Sequence, residues 1–141
     1  MYRSLVQGYY RNTSLAILVY DISKKKSYEG LDTWLKDIRS RYEQELPIFI
    51  VGNKIGLEDD RKISFNEAKE FSISRGTIYF NECSSKTGDN IENIFCEVAK
   101  YLYIVYKESR KKGTSSNKLK IGYLKKRKNV FKKYYSIFWC I

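Results

Sequence analysis

The 141-residue sequence contains no histidine. That excludes His-based catalytic triads, His metal ligands and His general bases. There is one proline and there are eight glycines, which argues against a low-complexity chain. Cysteine is limited to Cys83, Cys96 and Cys140. None stands in a Cys-x-x-Cys pair, and the spacings fit no zinc site. Cys83 and Cys96 lie in apolar-patterned segments and read as small core residues. A reduced, cytosolic setting is the simplest expectation. No apolar run approaches the roughly 20 residues needed to cross a bilayer. Met1-Tyr2-Arg3 leads into a mixed polar segment rather than the apolar core of a secretory signal.

What is present suits a single domain. The chain is 43% hydrophobic and 16% aromatic, with thirteen tyrosines, so it can build a core with an amphipathic character. The net charge of +11 is unevenly placed. Residues 1–106 carry 15 Lys/Arg and 15 Asp/Glu, whereas residues 107–141 carry 12 Lys/Arg against one acid, Glu108. This predicts a neutral globular body over 1–106 and a basic arm over 107–141.

Leu15-Ala16-Ile17-Leu18-Val19-Tyr20 is a short continuous apolar run, as expected for a strand buried on both faces. Ser27 is a candidate N-cap for a helix carrying Tyr28, Leu31, Trp34, Leu35 and Ile38, which fades near Tyr42. A second buried strand spans about 48–52, and Gly52-Asn53-Lys54 turns away from its end. Ser64-Phe65-Asn66-Glu67 has the form of a capping box. The helix it opens carries Ala68 and Phe71 and stops at Gly76, a position expected to take positive φ. A third strand spans about 77–82. A loop from Glu82 to Asn90 then leads into a helix with Ile91, Ile94, Phe95, Val98 and Leu102 on one face. Strands alternating with helices predict an α/β fold with a parallel three-stranded sheet and flanking helices. Ligands of such sheets bind outside the carboxyl ends of the strands. That singles out the loops Gly52–Leu57 and Cys83–Asn90.

Asn53-Lys54 follows one strand and Ser84-Ser85-Lys86 follows the next. With these two loops the sequence resembles the small GTPases of the Ras superfamily, and the Rab proteins in particular. Those proteins carry an Asn-Lys-x-Asp base-recognition loop and a Ser-Ala-Lys loop. The stretches Tyr2-Arg3-Ser4-Leu5, Tyr9-Tyr10-Arg11, Leu18-Val19-Tyr20-Asp21-Ile22 and Trp34-Leu35 lie in the family's order, so the resemblance covers about residues 2–103. It implies the C-terminal half of a P-loop GTPase fold. It also implies guanine-binding roles for five residues. Asn53 would brace the loops beside the purine. The stem of Lys54 would cover one face of the base. In the second loop, Ser84, Ser85 and Lys86, the Ser85 N–H would donate to the guanine carbonyl oxygen and Lys86 would pack on the other side. An isolated Asn-Lys pair is often a plain turn; both loops at strand ends in family order are far more specific.

Gly56 stands where the family's Asp accepts two guanine N–H groups. A charge-assisted hydrogen bond contributes about 1.5–3 kcal/mol, and its loss leaves the ligand's donors unpaired. Selectivity for guanine over adenine should fall. Asp59 and Asp60 read as solvated turn acids rather than substitutes. No Gly-x-x-x-x-Gly-Lys-[Ser/Thr] phosphate cradle occurs in the sequence. The first switch, the magnesium-binding Ser/Thr and Asp and the water-positioning Gln are likewise not found. Phosphoryl transfer depends on those parts. No catalytic residue is therefore expected, the chain is not expected to hold Mg²⁺, and GTP hydrolysis by this polypeptide is not expected. The strand over 15–20 is expected at an open sheet edge, with a marginal fold unless a partner supplies the missing half.

The resemblance extends to partners. The complete family protein binds GTP and GDP and switches Rab effectors and regulators in vesicle traffic. The basic arm, with Phe131, Tyr134, Tyr135, Phe138 and Trp139 among its lysines, suits an anionic membrane surface. The implied place is the cytoplasm, or the cytosolic face of endomembranes. A plain solvated tail ranks second, and a nucleic-acid interface ranks last. Cys140 is a weak lipidation candidate, because Phe138-Trp139-Cys140-Ile141 is not a C-a-a-X ending. Two alternatives remain beside a Rab switch: a nucleotide-independent, Rab-like effector- or membrane-binding module, and a pseudogene or truncated gene-model product.

Overall fold

A computed structural model describes residues 13–41 and 46–111. The stretches Tyr2–Leu5 and Tyr9–Arg11, most of the basic arm, and Cys140 lie outside the described residues. The element order is β1 (Ala16–Asp21), α1 (Lys25–Arg41), β2 (Ile48–Asn53), a 3-10 segment (Ile55–Asp60), α2 (Phe65–Ser74), β3 (Tyr79–Cys83) and α3 (Ile91–Lys111). The three strands form one parallel sheet in the order β1-β2-β3, as the alternation of strands and helices predicts.

Alternation along the strands feeds two cores. Ala16, Leu18, Tyr20, Ile48 and Ile50 pack with Leu31, Leu35 and Ile38 of α1 and Ala68 of α2. Ile17, Phe49, Val51 and Cys83 pack on the opposite face with Ile94 of α3, and Ile91, Phe95, Val98 and Tyr101 close around them. Because β1 and β2 are covered on both sides, they read as continuous apolar runs. Among the described residues β1 pairs only with β2 and forms an edge. An edge strand that is apolar on both faces is a template for further pairing.

Local details differ from the sequence expectations in several places. Helix α1 begins at Lys25, so Ser27 lies in its first turn instead of capping it. Its hydroxyl accepts from the Asp21 N–H at 3.0 Å and donates to the Lys24 carbonyl at 2.7 Å, which ties the helix start to the end of β1. Strand β3 begins at Tyr79 rather than Thr77, because the Thr77 N–H is used to close α2 on the Ser72 carbonyl at 3.1 Å. Gly76 does take positive φ, at 62°, and its N–H donates to the Ile73 carbonyl; the two bonds together form a Schellman ending. Cys96 is exposed, although Cys83 is buried as expected. Helix α3 continues through 107–111, where the composition already has the character of the arm.

The capping box is half formed. Ser64 Oγ accepts from the Glu67 N–H at 3.1 Å, while no return bond from the Ser64 N–H to the Glu67 carboxylate is present.

Gly52 is the glycine that the packing requires. A Cβ there would lie 2.9 Å from Tyr20 Oη and 2.9 Å from Glu82 Cγ. Gly52→Ala should therefore destabilise the chain by about 1–3 kcal/mol through overpacking. Gly56→Ala, where a Cβ meets nothing within 4 Å, should change stability by less than about 0.5 kcal/mol, as surface substitutions do. Urea unfolding of the two variants checks the contrast.

Candidate functional site

The strand register builds the site. Asp21 of β1 is paired with Asn53 of β2, and Asn53 with Cys83 of β3. These three residues form the last row at the carboxyl end of the sheet, and the two candidate loops leave from it.

Asn53 joins the loops. Its Oδ1 accepts from the Lys54 N–H at 2.8 Å and from the Ser85 N–H at 3.0 Å, and its Nδ2 donates to Ser85 Oγ at 3.0 Å. The Asn53 side chain thus links the two loops through three hydrogen bonds. The Ser85 N–H, expected to meet a guanine carbonyl oxygen, points to Asn53 Oδ1 here. Ser84 is buried and shapes the second loop from within. Its N–H donates to the Asp89 carbonyl, its carbonyl accepts from the Gly88 N–H, and its Oγ accepts from the Thr87 N–H at 3.2 Å. Lys86 is exposed and has no ion-pair partner among the described residues.

Lys54 has left-handed backbone geometry, with φ 75° and ψ 38°. Such geometry is uncommon outside glycine and persists only where its surroundings enforce it. Three contacts do so. They are the bond to Asn53 Oδ1, the Leu57 N–H donating to the Lys54 carbonyl at 2.8 Å, and an ion pair of Lys54 Nζ with Asp21 Oδ2 at 2.7 Å. The Asp21 carboxylate is buried. Burial pushes its carboxyl up, but the Lys54 ammonium and the Ser23 hydroxyl and N–H outweigh burial and hold it below the usual carboxylate range.

A second cluster lies one row further in, where Tyr20, Gly52 and Glu82 are in register. Arg61 donates two hydrogen bonds to Glu82, at 2.9 and 2.8 Å, and two to Glu58, at 2.7 and 2.8 Å. It thereby fastens the 3-10 segment after the first loop to the strand that leads into the second. Hydrogen bonds to Glu82 and Glu58 raise its already high pKa. The Tyr20 hydroxyl is buried without a hydrogen-bond partner, and burial followed by the Glu82 charge raises its pKa. Burial also pushes the Cys83 thiol up to about 11, so it is protonated at neutral pH and no nucleophile. Asp21, Arg61 and Glu82 were not singled out as site residues from the sequence. In the sequence Asp21 stands only within the family-like stretch Leu18-Val19-Tyr20-Asp21-Ile22, and Glu82 only at the start of the second loop.

Chemically, the two loops offer a turn braced by Asn53 and the half-exposed stem of Lys54. Gly56 supplies no acceptor, and Asp59 and Asp60 are exposed in the 3-10 segment. Among the described residues no group of three or more His, Cys, Asp or Glu could hold a metal ion, and no helix is long and apolar enough to cross a membrane.

Asn53→Ala should cost about 0.5–1.5 kcal/mol, because it removes the link between the loops while leaving the exposed N–H groups of Lys54 and Ser85 to water. Hydrogen exchange at the Ser85 amide should accelerate with it. Asp21 should also shape the acid limb of stability. Its folded pKa is depressed, so its stabilisation is present above the unfolded carboxylate range and is lost as pH falls through the lower folded value. Urea unfolding of Asp21→Asn between about pH 5 and pH 2 should show a shallower loss than the parent chain, in the sense that linkage requires.

The family model described as "Ras family" matches residues 1–104. That span is most of the chain and contains both loops, Asp21 and the whole sheet. The chain belongs to the Ras family of small GTPases.

Proposed function

We propose that this chain carries the base-recognition half of a Rab-type guanine-nucleotide site. The observation that carries the reading is the Asn53 side chain, which holds the Lys54 and Ser85 loops together at the carboxyl end of the sheet. In the complete protein such a site would bind GTP and GDP and switch effector binding in vesicle traffic on the cytosolic face of endomembranes. The basic arm would hold an anionic membrane surface there. Within these 141 residues there is no Gly-x-x-x-x-Gly-Lys-[Ser/Thr] segment. The polypeptide alone would therefore bind purine nucleosides weakly and leave GTP intact, since phosphoryl transfer depends on groups that grip the phosphates and magnesium.

A second reading is a nucleotide-independent module that docks Rab effectors, regulators or membranes. Two observations favour it. The Ser85 N–H is already accepted by Asn53, and Gly56 provides no carboxylate for guanine.

Both readings meet the same experiment. Gly56→Asp is sterically free, since a Cβ there meets nothing within 4 Å. It should raise the preference for guanosine over adenosine at least about tenfold, the lower end of the contribution of a charge-assisted hydrogen bond. Equilibrium binding of the two nucleosides to the parent chain and the variant measures it. No binding by either protein would favour the nucleotide-independent module. Incubated with GTP and magnesium, the purified chain should release no phosphate above the buffer rate, and turnover would contradict the proposal.

A further inference from the structure

We infer that Asp21 is a positioning residue of the purine site: its carboxylate fixes the course of the Lys54 side chain across the end of the sheet. The inference rests on the base-recognition reading and adds a residue to it.

Three observations carry it. First, Asp21 stands in the register row of Asn53 and Cys83, so the fold delivers it to the site as rigidly as the residues of the two loops. Second, the carboxylate divides its oxygens between two tasks. Oδ1 accepts from the Ser23 N–H at 2.9 Å and the Ser23 hydroxyl at 2.7 Å, which holds the carboxylate plane. Oδ2 is buried and has no hydrogen bond of regular geometry; its charge is met by the Lys54 ammonium at 2.7 Å. Third, the Lys54 backbone is left-handed, and its two other restraints act on the main chain. The Asp21 contact is the one that restrains the far end of the side chain.

The physical consequence follows from flexibility. A free lysine stem has four rotatable bonds and samples many rotamers, and ordering it against a ligand opposes binding. With Asp21 in place that ordering is already complete before a base arrives. The Lys54 side chain is 43% exposed while that of Asp21 is 7% exposed, so the stem remains open to a ligand while the carboxylate that anchors it is covered.

The test is a double-mutant cycle on the full 141-residue chain, with guanosine as the probe. Asp21→Asn keeps the shape of the side chain and the acceptor for Ser23 but removes the charge. Lys54→Met keeps an aliphatic stem and removes the ammonium. If Asp21 acts through Lys54, Asp21→Asn should weaken guanosine binding at least about fivefold in the parent chain and less than about twofold in the Lys54→Met background, the non-additivity expected of directly coupled residues. Equal losses in both backgrounds would mean that Asp21 only supports the turn after β1, and would overturn the inference. A binding-independent measurement separates the two proposals: the ¹³C carboxyl signal of Asp21 should titrate at higher pH in Lys54→Met than in the parent. An unchanged titration overturns the inference alone, whatever guanosine does. A changed titration with no guanosine binding by the parent chain overturns the base-recognition reading, and the inference with it.

Discussion

The Asn53 side chain is the point on which the site depends. One short amide, placed by the last residue of β2, accepts from the first loop and both accepts from and donates to the second. The loops are 32 residues apart in sequence, so nothing local could bring them together. Only the parallel register of β2 and β3 puts Asn53 opposite Cys83 and so within reach of Ser85. The Arg61 guanidinium repeats the same arrangement one row further in, between Glu58 and Glu82. The first connection runs from the end of β2 to the loop after β3, and the second from the 3-10 segment to β3 itself, so the two loops are tied at two successive rows.

Among the described residues the sheet that supports these loops has three strands, with β1 and β3 at its edges. β1 is buried on both faces by α1 and α3 residues, yet among the described residues it has a neighbour along only one edge. Its continuous apolar run belongs to the pattern of a central strand. The carboxyl end of β1 also supplies Asp21, so a strand paired along one edge among the described residues carries the partner of Lys54. Stability of the edge and order in the site are therefore linked through one element.

Much of this was legible in the sequence. The apolar runs at 15–20 and 48–52 marked strands, because full burial leaves no alternation to hide them. The Asn53-Lys54 and Ser84-Ser85-Lys86 loops were placed at strand ends by topology alone. Other features were not legible, each for a physical reason. Ser27 had the composition of a cap, but the turn from Asp21 to Lys24 starts the helix earlier. Cys96 sits among apolar neighbours in sequence, but helical periodicity turns it outward from the face that carries Ile94 and Phe95. The Asp21–Lys54 pair and the Arg61–Glu82 pair depend on register between strands distant in sequence, which no pattern within a strand encodes.

The most direct test of the central claim is an amide ¹H–¹⁵N titration of the full chain with guanosine. The account predicts saturable shifts confined to the residues around Asn53 and Lys54 and around Ser84 and Ser85, with both groups reporting the same dissociation constant because one side chain couples them. Shifts in a single loop, or none in either, would contradict it.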